Sequence, residues 1–261
     1  MSKHKPICDL AGLSVLVTRP EHQSEGLCNL IQKAHGRPVR FPALEILGPL
    51  DKHTARAELL GASRADLLIF VSTNAVQYAF PLLPEQLPFD VDVAAVGGAT
   101  AAALTASGLE PTLVPQRMDS EGLLDLPALK SVRGKSIYIL RGNGGRELLA
   151  ETLGERGAEV HQVEVYRRQI PKRQAAAANL VRGWEHLVQA VIASSNTIVD
   201  NLFTLLGDAG ADRLRSTPMI VVSQRMAEYV LGRGCEEVYV ANSARDIDVL
   251  IALCEVNEDV A

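Results

Sequence analysis

Two glycine-rich turns follow apolar runs in this chain, a setting typical of anion binding. One is Arg141-Gly142-Asn143-Gly144-Gly145-Arg146, and the other is Gly97-Gly98-Ala99-Thr100. Glycines let backbone N–H groups approach an anion, and a following helix adds partial positive charge at its N-terminus. Neither spacing is that of a dinucleotide fingerprint or a P-loop. Anion binding is one interpretation of these turns. The other is a tight turn with two solvated arginines for the first, and a plain strand-to-helix turn with Thr100 in the first helical turn for the second.

Small polar residues follow further apolar runs. They are Thr18 and Arg19, then Ser72, Thr73 and Asn74, and then Ser194 and Ser195. In open parallel sheets, ligands bind at the edge formed by the carboxyl ends of the strands, where these residues would lie. The same residue types are good helix N-caps, and capping alone would explain any one of them. Their recurrence favours a polar cleft.

Nucleophile and metal motifs are missing from the sequence. There is no G-x-S-x-G and no H-E-x-x-H, and the six histidines are scattered. Tyr166 ends a strand-like run, where ordinary packing is the simplest interpretation. We therefore expect no metal and no cofactor.

These residues need elements to position them, and strand-like runs alternate with helical patterns along the whole chain. This alternation predicts an α/β fold with parallel sheets. We predict an extended segment at 39–46 that Pro42 confines to an edge or linker, and a short strand at 112–114. We also predict helices over 172–187 and 196–206, and a helix that Ser120 caps.

The chain also repeats itself. Ser72 and Ser194 lie 122 residues apart, each after an apolar run, and the same offset relates Arg19 to Arg141. Two copies predict two similar lobes with a ligand held between them. The repeat allows tandem lobes and interleaved lobes alike.

Bulk composition narrows the class of protein. The 261 residues carry a net charge of −5 and only 4% aromatic residues, which argues against nucleic-acid binding. We see no secretory signal and no apolar run long enough for a bilayer. The four cysteines lie far apart without a C-x-x-C pair, so we expect four reduced thiols in a cytoplasmic protein.

Ordered motifs over nearly the whole chain resemble the uroporphyrinogen-III synthase family. They are Val17-Thr18-Arg19-Pro20, Ser72 with Ala75-Val76, Ala95-Val96-Gly97 with Thr100-Ala101, Ser120-Glu121-Gly122-Leu123-Leu124, Leu140 with the turn that follows it, and Val165-Tyr166-Arg167. The resemblance implies two flavodoxin-like parallel-sheet α/β lobes joined by two extended linker strands. Lobe one would be 1–38 with 169–261, lobe two 46–162, and the linkers 39–45 and 163–168.

The resemblance also implies an activity. Members of the family are lyases of heme biosynthesis that cyclise hydroxymethylbilane to uroporphyrinogen III, with inversion of ring D and loss of water. Tyr166 would then be the proton donor to the departing hydroxyl. The substrate-binding residues would be Thr18, Arg19, Ser72, Thr73, Asn74, Gly97, Thr100, Ser120, Arg141, Gly142, Gly145, Ser194, Ser195 and Ser223.

One segment departs from the family pattern. Where many members carry Gly-x-Thr-Thr, this chain has Val222-Ser223-Gln224-Arg225, in which Ser223 and Arg225 can still donate hydrogen bonds.

We expect a linear tetrapyrrole polycarboxylate as substrate, a monomer, and a transient contact with the preceding pathway enzyme. The alternative is a non-catalytic, two-lobed protein that binds small anions.

Overall fold

A computed structural model describes residues 8–85, 87, 90–145 and 147–260, with side chains described as far as residue 256. The strands are β1 (Ser14–Val17), β2 (Arg37–Arg40), β3 (Glu45–Leu47), β4 (Leu67–Phe70), β5 (Asp92–Ala95), β6 (Ser136–Gly142), β7 (Glu159–Gln169), β8 (Ala190–Ile192), β9 (Met219–Val221) and β10 (Val238–Val240). The helices are α1 (Glu25–Lys33), α2 (Lys52–Leu60), α3 (Thr73–Ala79), α4 (Gly98–Ala106), α5 (Ser120–Asp125), α6 (Pro127–Lys130), α7 (Leu148–Glu155), α8 (Gln174–Arg182), α9 (Trp184–Leu187), α10 (Asn196–Arg215), α11 (Gln224–Gly232) and α12 (Asp246–Val260).

Contacts divide the chain into two compact units. The first consists of the described residues of Met1–Glu45 and Gln169–Ala261, and the second is Ile46–Arg168. Each unit contains a five-stranded sheet with helices, so the fold is α/β with two parallel sheets. In the described part of the chain, no helix has both the length and the apolarity to cross a membrane.

The first unit has the strand order β10-β9-β8-β1-β2. The pairs β1–β2, β1–β8, β8–β9 and β9–β10 are all parallel. Because side chains alternate across a strand, Val15 and Val17 enter the core under α1 and α12, whereas Leu16 enters the core with α8, α10 and α11. Burial on both faces explains why β1 is apolar at three consecutive positions.

The second unit has the strand order β3-β7-β6-β4-β5, and the pairs β4–β5, β4–β6 and β6–β7 are parallel. Leu67 and Ile69 pack in the core with α5 and α7. Leu68 and Phe70 pack in the core with α2, α3 and α4. This sheet, too, is covered on both faces.

Strand order gives the sequence repeat a structural meaning. The offset of 122 carries β1 to the start of β6, β2 to the start of β7, and β4 onto β8. In each unit the first two of these strands pair with each other, and the third lies on the far side of the first. The three corresponding strands therefore have the same neighbours in both sheets, although they follow one another along the chain in a different order.

Three predicted strand and helix assignments are corrected. The extended segment at 39–46 falls in two strands of different sheets, because β2 pairs with β1 in the first sheet and β3 is an edge strand of the second. The segment 112–114 contributes one bridge, Ala94 to Leu113, rather than a strand. The helix over 172–187 is broken at Gly183, which ends α8.

Two helix ends also differ from the prediction. The N-cap of α5 is Asp119, whose carboxylate accepts from the Gly122 backbone N–H, and Ser120 is the first residue of the helix. The helix predicted over 196–206 continues to Arg215 after a non-helical step at Gly207, where φ is 61°. Glycine tolerates that left-handed conformation, so a second helical segment can follow without a separate loop.

The expectation of four reduced thiols is wrong. Cys8 and Cys254 form a disulfide, with their Cα atoms 6.0 Å apart, while Cys28 and Cys235 are free and buried. Burial raises the pKa of the Cys235 thiol. The pairing was not readable from local spacing because the two cysteines are 246 positions apart and meet only where Cys8 and α12 pack in the same core.

Reduction of this disulfide should destabilise the protein. A cross-link across so long a loop restricts the unfolded chain and contributes about 2–5 kcal/mol. We expect reductant, or Cys254→Ser, to lower the thermal unfolding midpoint by about 5–15 °C. Reductant added to the Cys254→Ser variant is the control and should change nothing. Equal midpoints for the wild type with and without reductant would contradict the cross-link.

Candidate functional site

A cavity of about 170 Å³ lies at the carboxyl ends of β4 and β6 in the second unit. Its wall includes six residues that the sequence predicted for binding or catalysis, namely Ser72, Ser120, Arg141, Gly142, Gly145 and Tyr166. Parallel strands end at the same edge of a sheet, so residues distant in sequence meet here. Val71, Ile139 and Leu149 add apolar wall. Hydroxyls and a guanidinium beside apolar surface suit an organic carboxylate.

Arg141 is the buried charged group of this cavity, and the exposed Arg168 is the other arginine of its wall. Arg141 lies near the end of β6, and it is 7% exposed. Its Nη1 donates to Glu147 Oε1 at 2.9 Å and to the side-chain oxygen of Gln162. Its Nη2 makes no hydrogen bond to any of the described residues. The guanidinium is therefore held through Nη1 and through Nε, which donates to the Gly142 carbonyl at 3.4 Å, and it can offer Nη2 to an anion.

Glu147 completes the contacts of Arg141. Gln162 Nε2 donates to Glu147 Oε2 at 2.7 Å. The hydrogen bond from Gln162, and then that from Arg141, lower the pKa of the Glu147 carboxyl below its ordinary value. Because the folded value is lowered, the contribution of these bonds to stability is complete above the ordinary value. It is lost as the pH falls through the lowered one.

Gly145 leaves space for the guanidinium. A Cβ at this position would lie 2.7 Å from Arg141 Nη2 and 3.3 Å from its Cζ. The glycine of the turn thus serves a close approach by an arginine of the same turn. Arg146, the last residue of the predicted motif, lies outside the described residues.

Tyr166 and Ser72 meet at the cavity wall. The Tyr166 ring is 1% exposed, stacks on Tyr78 with ring centroids 6.2 Å apart, and leaves room only for glycine at Gly142, where a Cβ would be 2.4 Å from the ring. Its Oη lies 3.2 Å from Ser72 Oγ. Ser72 also caps α3 by accepting from the Ala75 N–H at 3.1 Å. Core packing and capping thus coexist with a place in the cavity.

The other predicted residues of the second unit lie outside this cavity wall. Thr73 and Asn74 begin α3 directly after Ser72. Gly97 is the N-cap residue of α4, and Thr100 is buried in its first turn. The Gly97 turn is therefore a strand-to-helix turn beside the site rather than part of this cavity.

The first unit uses its predicted residues for internal contacts. Thr18 Oγ1 donates to the Ile192 carbonyl. Ser195 caps α10 by accepting from the Ile198 N–H, and Ser223 caps α11 by accepting from the Met226 N–H. Arg19 Nη1 pairs with Asp246, and Arg19 Nη2 donates to the Ala244 carbonyl at 2.8 Å. Both terminal nitrogens of Arg19 are occupied, which distinguishes it from Arg141.

Sequence reasoning did not identify three residues of the site. Glu147 and Gln162 hold Arg141, and Arg168 Nη2 donates to Tyr166 Oη at 2.9 Å. The alternation of a strand was a usable signal for Arg168, since residues i and i+2 share a face. The contact of Gln162 with Arg141 depends on the register of β7 against β6, and no local sequence pattern predicts that register.

Comparison with known proteins gives the family. A family model described as uroporphyrinogen-III synthase HemD matches residues 25–251. The uroporphyrinogen-III synthases of Salmonella typhimurium and Escherichia coli are each 33% identical over 246 residues, which cover 92% of this chain and 100% of each relative.

Solved structures show the same fold. A mutant uroporphyrinogen III synthase from Thermus thermophilus matches with a TM-score of 0.67 at 21% identity, over 95% of this chain and 100% of that one. The uroporphyrinogen-III synthetase of Helicobacter pylori matches with a TM-score of 0.54 at 19% identity, over 85% and 92% of the two chains. The family model matches most of the chain, and the two relatives above are both uroporphyrinogen-III synthases. The chain therefore belongs to the uroporphyrinogen-III synthase family.

Proposed function

We propose that this chain is the lyase that cyclises hydroxymethylbilane to uroporphyrinogen III, with inversion of ring D and loss of water. Membership of the family supports the activity, and the cavity around Arg141 is the observation that links it to this chain's own residues. A linear tetrapyrrole with eight carboxylates needs hydrogen-bond donors at fixed positions, and a buried arginine with an unoccupied nitrogen is such a donor.

The chemistry asks more for orientation than for activation. A hydroxymethylpyrrole loses its hydroxyl readily, because the ring nitrogen stabilises the cation that remains. The enzyme then has to present the substituted carbon of the terminal ring to that cation, which gives a spiro intermediate that rearranges. Binding energy used for orientation accelerates such a step without covalent catalysis.

The cavity suits one end of the substrate. About 170 Å³ has room for a carboxylate arm or a hydroxymethyl group and not for four pyrrole rings. We assign Arg141, Ser120 and the turn at Gly142 and Gly145 to a substrate carboxylate. We assign the Tyr166 hydroxyl to the departing hydroxyl, as its proton donor.

The remaining assignments are proposals of the same kind. Strand-end donors outside the cavity would bind further carboxylates, and they are Thr18, Arg19, Thr73, Asn74, Gly97, Thr100, Ser194, Ser195 and Ser223. We propose linkers at 39–45 and 163–168, a monomer, and transient contact with the preceding enzyme. The cytoplasmic location stays a prediction, and the Cys8–Cys254 disulfide argues against it because such bonds are uncommon in reducing compartments.

Isomer analysis separates the enzyme from the non-catalytic anion-binding alternative, which the comparisons do not support. Hydroxymethylbilane made in situ closes spontaneously to the I isomer. We expect the purified protein to convert it to the III isomer, measured by chromatography after oxidation to porphyrins. The I isomer alone, at the rate of the protein-free control, would contradict the proposed activity.

Replacing Tyr166 tests its role. Tyr166→Phe keeps the ring that packs on Gly142 and Tyr78 and removes only the hydroxyl. General acids contribute about 10²- to 10⁴-fold, and an easily ionised leaving group places this one at the lower end. We expect kcat to fall about 100-fold with the unfolding midpoint near that of the wild type. An unchanged kcat would remove Tyr166 from the mechanism.

Gly145→Ala tests the carboxylate site without touching a charge. The added Cβ displaces Arg141 Nη2, and the loss of one charge-assisted hydrogen bond should raise KM about tenfold. Gly154→Ala is the matched control, because no heavy atom lies within 4 Å of a Cβ there. It should leave KM unchanged and stabilise α7 by about 0.5–1 kcal/mol. Equal KM values for both variants would argue against binding by Arg141.

A further inference from the structure

Two hydroxyls and a guanidinium form a short chain of hydrogen bonds at the cavity wall. Arg168 Nη2 lies 2.9 Å from Tyr166 Oη, and Tyr166 Oη lies 3.2 Å from Ser72 Oγ. The Ala75 backbone N–H donates to Ser72 Oγ at 3.1 Å. Ser72, Tyr166 and Arg168 all line the cavity, so this chain of bonds is in contact with whatever the cavity binds.

The directions of these bonds follow from what each group can do. An arginine and a backbone N–H can only donate, so each hydroxyl oxygen already accepts one hydrogen bond from the protein. The two hydroxyls have two protons between them, and one is used in the bond that joins them. One proton is left over, whichever hydroxyl donates in that bond. The pair therefore presents a single hydroxyl proton to an acceptor in the cavity.

Asn143 fixes the position of Arg168. Its Oδ1 accepts from the Arg168 backbone N–H at 2.7 Å, and its Nδ2 donates to the Arg168 carbonyl at 3.3 Å. The Asn143 N–H also donates to the Tyr166 carbonyl at 3.2 Å. Arg168 Cζ lies 5.4 Å from the centroid of the Tyr166 ring. The glycine-rich turn that carries Gly145 thus also holds the strand segment that carries Tyr166 and Arg168.

We infer that Arg168 is a positioning residue that makes the Tyr166–Ser72 pair a one-proton donor to the leaving hydroxyl. The inference rests on the proposed function and adds the groups through which Tyr166 acts. The carbon–oxygen bond breaks with its electron pair on oxygen, and the spare hydroxyl proton joins that oxygen as water leaves. Arg168 stabilises the negative charge that develops on the phenol oxygen. The proton that the rearranged macrocycle loses at the end restores the hydroxyl pair.

A competing role for Arg168 is direct binding of a substrate carboxylate, since its side chain is exposed. The two roles differ in kinetics. A carboxylate ligand contributes to binding and its loss raises KM, whereas a group that acts only as the proton moves lowers kcat.

The test compares kcat and KM for Arg168→Met, Arg168→Lys and the control Arg64→Met, an exposed arginine of the same unit, using the isomer assay. We expect Arg168→Met to lower kcat about tenfold with KM within twofold of the wild type. We expect Arg168→Lys to recover at least a third of the rate, and Arg64→Met to be unchanged.

A double-variant cycle tests the shared proton. Ser72→Ala leaves the Tyr166 proton in place and should lower kcat less than Tyr166→Phe does. The double variant should lose no more in kcat than Tyr166→Phe alone, because the hydroxyls act as one unit. Asp51→Ala, which removes the N-cap of α2, controls for the lost cap of α3 and should keep kcat.

The outcomes are distinct. A tenfold rise in KM with kcat intact, an unchanged kcat in Arg168→Met, or multiplicative losses in the double variant would overturn this inference alone. A wild type that forms only the I isomer would overturn it together with the proposed function.

Discussion

The site depends on how β6 pairs with its two neighbours. Leu140 lies opposite Phe70 on one side, which brings the end of β4 and Ser72 beside Arg141. On the other side the register shifts between Arg141 and Gly142, so that Gly142 faces Tyr166. Such an irregularity re-aims a side chain at a strand end. With a continuous register, Val165 would lie opposite Gly142, and the Tyr166 phenol would point to another face.

Local chemistry made half of this site predictable. A strand, a glycine-rich turn and a helix in succession place Arg141 and Gly145 at the carboxyl edge of a sheet, and the resemblance to a family pointed to Tyr166. Gln162 and Arg168 were missed because their partners are set by the pairing of strands, which is a long-range property. The N-cap of α5 could not be predicted from residue types either. Asp119 and Ser120 are both good N-cap residues, and the backbone conformation decides between them.

The two units treat equivalent arginines differently. Arg19 and Arg141 occupy corresponding strand ends, and each touches an acidic side chain. Arg19 is also bonded to a carbonyl and has become part of the scaffold that joins β1 to α12, whereas Arg141 keeps one nitrogen facing a cavity. A repeated sequence thus specified two similar sheets, and a few residues from other segments decided which arginine remains open to a ligand.

The first unit is discontinuous in sequence, which affects how it folds during synthesis on the ribosome. Its interior strand β1 emerges early, but the neighbouring strand β8 is made only after the whole of Ile46–Arg168. At 5–20 residues per second, β1 waits roughly 10–35 s for that partner. The second unit is continuous, so it can complete its sheet while the first is still open. During that interval the nascent protein exposes one apolar edge strand, and this is the period when a chaperone would be of most use to it.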